Sequence, residues 1–258
     1  MAKLYIVEGL PCSGKSTAAA HIAQITGGRL FDENCGRHPV DYEFSAFIPG
    51  GADFTPEEYA VMKAFAETQP GGMVVPLDKL EGSLFDKALK YKIYDFLDWD
   101  AERPVMLRKW REFAENSGDD VFVFNCVLLQ NPMCETMMRF NFPQEKSLEY
   151  IQEICGIIRP LEPVVIYLKC SDISSRIKSA LPERGDEWLN SVVDYHCNGG
   201  YGKAHGLSGY DGYISALEER QRRELEFLPQ LPVNYLILDD PQRDWNAAYR
   251  RADGFILG

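Results

Sequence analysis

Four runs of apolar, β-favouring residues mark out the chain: Leu4-Tyr5-Ile6-Val7, and residues 121–129, 164–168 and 235–238. None alternates with polar positions as a half-exposed strand does, so each reads as a parallel strand buried on both faces. Arg29-Leu30-Phe31 is a shorter and weaker fifth candidate. A helical stretch precedes each later run, which implies crossover connections and an α/β, three-layer fold around a five-stranded parallel sheet. Helix patterns fall near residues 83–97, 101–116, 144–158, 172–181 and 212–228. The clearest helix start is Thr55-Pro56-Glu57-Glu58, with an N-cap, a proline at the first helical position and acids in the first turn. Pro70-Gly71-Gly72 is expected to stop that helix. Residues 55–117 are too long for a simple crossover and read as a helical insertion, which either covers one side of the site, where a second substrate could be held, or only thickens the core. With no repeat, low-complexity tract or clear linker, residues 1–258 read as a single domain.

Between the first strand and an Ala-rich helix lies Gly9-Leu10-Pro11-Cys12-Ser13-Gly14-Lys15-Ser16, followed by Thr17. The pattern is G-x-x-x-x-G-K-[ST], the P-loop, in the strand–loop–helix context that it requires. Glycines let the backbone curl until successive N–H groups point at phosphate oxygens, and the helix adds its positive N-terminal end. The expected phosphate-binding residues are Gly9, Pro11, Cys12, Ser13, Gly14, Lys15, Ser16 and Thr17, with Lys15 reaching the β- and γ-phosphates and Ser16 ligating Mg²⁺.

The net charge of −12 argues against general nucleic-acid binding, since no basic field exists to neutralise a long run of phosphates. Seven cysteines without any C-x-x-C pair fit neither a disulfide scaffold nor a zinc site. No apolar segment is long enough to span a bilayer and no signal pattern opens the chain, so a cytoplasmic location is expected.

Carboxylates just past a strand of an open α/β sheet point at the ligand crevice, which singles out Asp32 and Glu33 after the weak strand. Either would take a proton from an acceptor hydroxyl or hold Mg²⁺ through water; the competing account is a solvated polar turn. His38, Asp41 and Glu43 follow closely and read as a charged surface loop or as further pocket lining. The run 121–129 carries Asn125 where a metal-holding acid is common in P-loop proteins, and Asp119 and Asp120 lie at its wrong end. Metal binding is therefore expected to lean on Ser16 and on Glu8, Asp32 or Glu33, while Gln130 is a candidate for bonding a neutral substrate group. Arg176 and Arg184, with Lys203 beyond, follow the fourth strand and suit a lid over residues 172–210 that closes on a transferring phosphoryl group. Surface ion pairing is the plainer account of each. Arg139 and Arg159 are weaker candidates for an anionic acceptor.

Three segments together resemble the nucleoside and nucleotide kinase group of P-loop proteins, thymidylate kinases and deoxynucleoside kinases in particular. They are Val7-Glu8-Gly9 leading into the P-loop, Val165-Ile166-Tyr167-Leu168-Lys169-Cys170-Ser171-Asp172 with Arg176-Ile177, and Tyr235-Leu236-Ile237-Leu238-Asp239. Asp32-Glu33 sits where deoxynucleoside kinases place a catalytic carboxylate. The resemblance does not cover residues 40–118, and Gln130-Asn131-Pro132 replaces the D-R-[YF]-style motif of these kinases. The whole chain looks most like uncharacterised bacterial P-loop proteins. What the resemblance implies is strand order 2-3-1-4-5 and phosphoryl transfer from ATP to a small molecule, with Lys15, Asp32 or Glu33, Arg176 and Arg184 as catalytic residues. A nucleotide-binding regulatory protein with slow hydrolysis, and adenylyl or sulfuryl transfer, remain alternatives.

Overall fold

The structure, a computed structural model, describes residues 3–33, 35–36 and 38–258. They fall into two compact units, Met1–Glu33 with Ser117–Gly258, and Asn34–Asn116. The first unit begins with β1 (Leu4–Gly9), α1 (Lys15–Thr26) and β2 (Arg29–Phe31). The second holds β3 (Ser45–Pro49), α2 (Pro56–Lys63), β4 (Glu67–Gln69), β5 (Gly72–Pro76), α3 (Gly82–Leu89) and α4 (Trp99–Asn116). The chain then returns to the first unit with β6 (Phe122–Asn125), α5 (Gln130–Met133), a π-helical turn over Cys134–Arg139, and α6 (Gln144–Ile158). It ends with β7 (Val164–Lys169), α7 (Ile173–Asn198), α8 (Gly200–Ala204), α9 (Gly209–Phe227), β8 (Asn234–Asp239) and α10 (Trp245–Leu257).

The five strands of the first unit are parallel and lie in the order β2-β6-β1-β7-β8. Numbered among themselves they run 2-3-1-4-5, the expected order. Tyr5 and Val7 of central β1 pack with Ala18, Ala19 and Ile22 of α1 and Ala248 of α10. The small alanines let α1 lie close to the sheet. Leu4 and Ile6, which alternation sends to the other face, are buried as well, so helices cover both sides.

Strand β6 stops at Asn125, although the apolar run continues to Leu129. Cys126 takes a left-handed φ of 46°, and the backbone beyond it turns its N–H groups onto the Glu8 carboxylate. Val127, Leu128 and Leu129 donate to Glu8 Oε1 at 3.0, 2.8 and 2.9 Å, and the Gln130 N–H donates to Oε2 at 3.2 Å. Glu8 is fully buried, and burial pushes its carboxyl above the ordinary range against the pull of the Leu129 and Val127 N–H groups. Glu8 is thus committed to backbone rather than left open for a metal, which corrects that expectation. Helix α7 runs well beyond residue 181 but is broken at Gly185, where φ is 80° and ψ is 168°.

The second unit is not purely helical. Helix α2 has the expected capping box, with Glu58 N–H donating to Thr55 Oγ1 at 3.2 Å and Thr55 N–H to Glu58 Oε2 at 2.8 Å. Around it lies an antiparallel sheet in the order β3-β5-β4. Gly71, read as a helix stop, instead supplies the positive φ of 80° in the β4–β5 hairpin. Met73, Val74 and Val75 of β5 are buried, and Val74 joins a core with Phe47, Ile93, Leu97 and Val105.

Removing the Glu8 carboxylate strands four backbone donors in a dry interior. Glu8→Ala should cost about 3 kcal/mol or more, a fall of roughly 6–12 °C in Tm, with Glu8→Gln losing less because one amide oxygen still accepts. Thermal and urea unfolding of the two variants check this, and equal stability of Glu8→Ala and wild type would contradict it.

Candidate active site

The P-loop leaves the C-terminal end of β1 and enters α1. Gly9 has a φ of 146°, and a Cβ there would sit 2.7 Å from the Leu168 carbonyl oxygen. Gly14 has a φ of 94°, and a Cβ there would meet the Trp245 ring at 2.7 Å. Neither position accommodates a side chain. No side chain caps α1, so its first N–H groups are left for an anion. Lys15 opens the helix with 8% of its surface exposed and its Nζ donating to the Leu10 carbonyl at 3.2 Å.

A cavity of about 700 Å³ extends from this loop and is lined by both expected lid arginines, Arg176 and Arg184, and by Glu33. Pro11, Cys12, Gly14, Lys15, Ser16 and Thr17 form its P-loop wall. Burial pushes the Cys12 thiol up, and the charges of Arg184, Lys15 and Arg176 pull it back, so all three cations converge on the loop. Arg184 also lies over the Trp188 ring, 5.6 Å from its centroid.

Asp32 and Glu33 are divided between two tasks. Asp32 Oδ1 accepts from Ser16 Oγ at 3.4 Å and from Asn125 Nδ2, which also donates to Ser16 Oγ at 3.0 Å. Asn125 therefore occupies the place of the missing strand acid, and Asp32 supplies the charge from the neighbouring strand. Ser16 Oγ, the Asp32 carboxylate and the unpartnered Asn125 Oδ1 make a set of hard oxygen donors, which fits Mg²⁺. Glu33 Oε1 accepts from Gln130 Nε2 at 2.6 Å and from Cys126 Sγ. Although the residue is exposed, protein surrounds this carboxylate. Burial raises its pKa, but the Lys15 charge and the bonds from Cys126 and Gln130 outweigh it, and the carboxyl is held below its ordinary value.

Among the lining residues that the sequence does not single out are two buried polar ones, Arg220 and His196. Arg220 of α9 is 1% exposed, and its Nε donates to Glu224 Oε1 at 2.6 Å. Tyr167 Oη of β7 donates to Glu224 Oε2 at 2.6 Å, and Gln221 exchanges two 2.9 Å bonds with the Cys170 backbone, fixing α9 to the sheet. His196 of α7 is 5% exposed, and burial holds its pKa down to about 4. A charged side chain within a helix otherwise polar on one face is the only signal Arg220 gave.

Other candidates lie elsewhere. Arg139 pairs with Glu135 at 2.7 Å, and Arg159 lines a groove beside Tyr5 and Val164, at the strand ends away from the P-loop. Lys203 does not line the cavity. Asp119 and Asp120 make surface pairs with Lys3 and Arg29. His38, Asp41 and Glu43 line a cavity within the second unit. Among the described residues no helix is long and apolar enough to cross a membrane, and no three His, Cys, Asp or Glu side chains cluster to hold a metal.

Fold and loop together define a P-loop α/β protein with the kinase-type strand order. No family model and no curated protein matches the chain. Among solved structures it is similar to YorR of Bacillus subtilis in complex with phosphorylated GDP, at 15% identity over 98% of this chain and 95% of that one, with a TM-score of 0.46. It is also similar to deoxyadenosine kinase from M. mycoides with bound dATP, at 15% identity over 99% and 100% of the two chains, with a TM-score of 0.45. Thymidylate kinase from Candida albicans aligns at 13% identity over 98% and 93%, with a TM-score of 0.41.

The depressed His196 pKa has a consequence for stability. Above the unfolded value of about 6.5 the residue is neutral in both states. As the pH falls from there towards 4, the unfolded chain takes a proton that the folded chain refuses, which destabilises the fold by roughly 3 kcal/mol at most. Urea midpoints measured between pH 7 and pH 4 should therefore fall, and His196→Gln should lose about one proton from that slope.

Proposed function

We propose that the first unit transfers the γ-phosphoryl group of ATP to a hydroxyl of a small-molecule acceptor. The observation that carries this reading is the convergence, in one cavity, of Lys15, Arg176 and Arg184 with an ionised Glu33. The loop N–H groups and Lys15 bind the β- and γ-phosphates, while Arg176 and Arg184 spread charge over the oxygens of the moving group. Glu33, held in place by Gln130 and Cys126, orients the acceptor hydroxyl and takes its proton. The acceptor oxygen forms its bond to the γ-phosphorus as the bond to the β,γ-bridging oxygen breaks, and ADP leaves with that electron pair. Ser16, Asp32 and Asn125 would hold Mg²⁺, which neutralises phosphate charge when bound. Asp32 is thereby a metal-side residue, and Glu33 is the base.

The test incubates the protein with γ-labelled ATP and a pooled small-molecule extract and looks for a labelled product. ATP turnover with no such product would favour the slow-hydrolysing regulatory protein instead. Lys15→Ala should weaken ATP binding at least tenfold, about 1.4 kcal/mol, in a direct titration. Glu33→Gln should leave ATP affinity within about twofold while cutting turnover by roughly 10²–10⁴.

A further inference from the structure

Besides Asn125, whose Oδ1 stands with Ser16 and Asp32, three residues that line the cavity carry a buried polar atom with no protein partner. Arg220 Nε is committed to Glu224 at 2.6 Å and Nη1 has only the Cys134 sulfur at 3.9 Å, but Nη2 has no partner. His196 Nδ1 lies 2.7 Å from the Val192 carbonyl, which can only accept, so Nδ1 carries the proton and the unpartnered Nε2 presents a lone pair. Burial keeps this ring neutral, with the Arg220 charge acting the same way. Gln130 Nε2 donates to Glu33, which leaves its Oε1 as a second unpartnered acceptor. Arg220, His196 and Gln130 all line the same cavity as the P-loop. A buried polar group left unmatched costs about 1–3 kcal/mol, so three in one cavity describe the complement of a ligand.

That complement has a definite chemistry. It lacks one acceptor, facing Arg220, and two donors, facing His196 and Gln130. Glu224 already balances the Arg220 charge, and Glu33 adds a negative charge beside Gln130. A phosphate monoester or carboxylate would satisfy Arg220 but would set its remaining oxygens against two lone pairs and a carboxylate. A hydroxyl donates and accepts at once, so hydroxyl groups match all three atoms.

The geometry points to Arg220, His196 and Gln130 as the acceptor subsite of the cleft, built for a neutral, hydroxyl-bearing small molecule and against anionic ones. This rests on the phosphoryl-transfer reading above. Arg220 and His196 are then residues that determine specificity without taking part in bond making, while Gln130 both holds Glu33 and reads the acceptor.

The experiment divides the small molecules of a cell extract on an anion exchanger and offers the uncharged flow-through and the retained anions separately, with γ-labelled ATP. Label in a product from the neutral fraction is the expected result. Label only from the retained fraction overturns the subsite but leaves phosphoryl transfer standing; label from neither overturns both. With the neutral fraction as titrant, Arg220→Lys keeps a cation beside Glu224 but removes the Nη2 donor. It should raise the half-saturating amount at least tenfold while leaving the KM for ATP within twofold. His196→Phe, which keeps the ring and removes the lone pair, should do the same independently should Arg220→Lys fail to fold. An unchanged half-saturation in folded His196→Phe overturns the assignment.

Discussion

The site depends on one buried carboxylate whose oxygens are bonded to backbone. Glu8, the residue before the P-loop, gathers four backbone N–H groups from residues 127–130. An apolar run that would otherwise extend a strand is bent by that contact into the turn that presents Cys126 and Gln130. Those two side chains in turn hold Glu33. The P-loop and the Glu33 carboxylate are therefore joined through the dry centre of the sheet. The four donors exist only because the turn exists, and the turn is tolerable only because Glu8 meets them.

Charge is sorted along the cavity. The cations nearest the P-loop are Lys15, buried with its Nζ on the Leu10 carbonyl, and Arg176 and Arg184 of α7, of which Arg184 is exposed. The deeper cation, Arg220, is balanced by Glu224 and braced by Tyr167. Its guanidinium contributes direction more than charge. In a chain of net charge −12, uncompensated positive charge is thus gathered at the P-loop end of the cavity.

Much of this was legible because it is contiguous. The P-loop, its strand and its helix lie within the first 26 residues, and the buried strands announce themselves as unbroken apolar runs. Gln144–Ile158 was readable as a helix to the residue. The positional rule about strand ends pointed to Asp32 and Glu33, of which Glu33 lines the cavity. It did not point to Arg220 or His196, because their meaning comes from packing α9 and α7 beside a turn some 60 to 90 residues earlier. The roles of Glu8 and Asn125 were misread or unread for the same reason, each being defined by a partner more than 100 residues away. In the second unit, strands of three to five residues are too short to show a period, so helical signals dominated.

Asp32 and Glu33 are neighbours, as are Asn125 and Cys126, and the two pairs meet across β2 and β6. Asp32 finds Asn125 while Glu33 finds Cys126, because successive residues project to opposite sides and the register Phe31↔Phe124 aligns the strands. The different partners of two chemically similar acids are thus written in strand pairing rather than in side-chain identity. Sliding β2 by a single residue would bring one acid to the other's partner and leave the second with neither, although every side chain would still be present. The shortest, most weakly buried strand of the sheet is consequently the one whose alignment the site can least afford to lose.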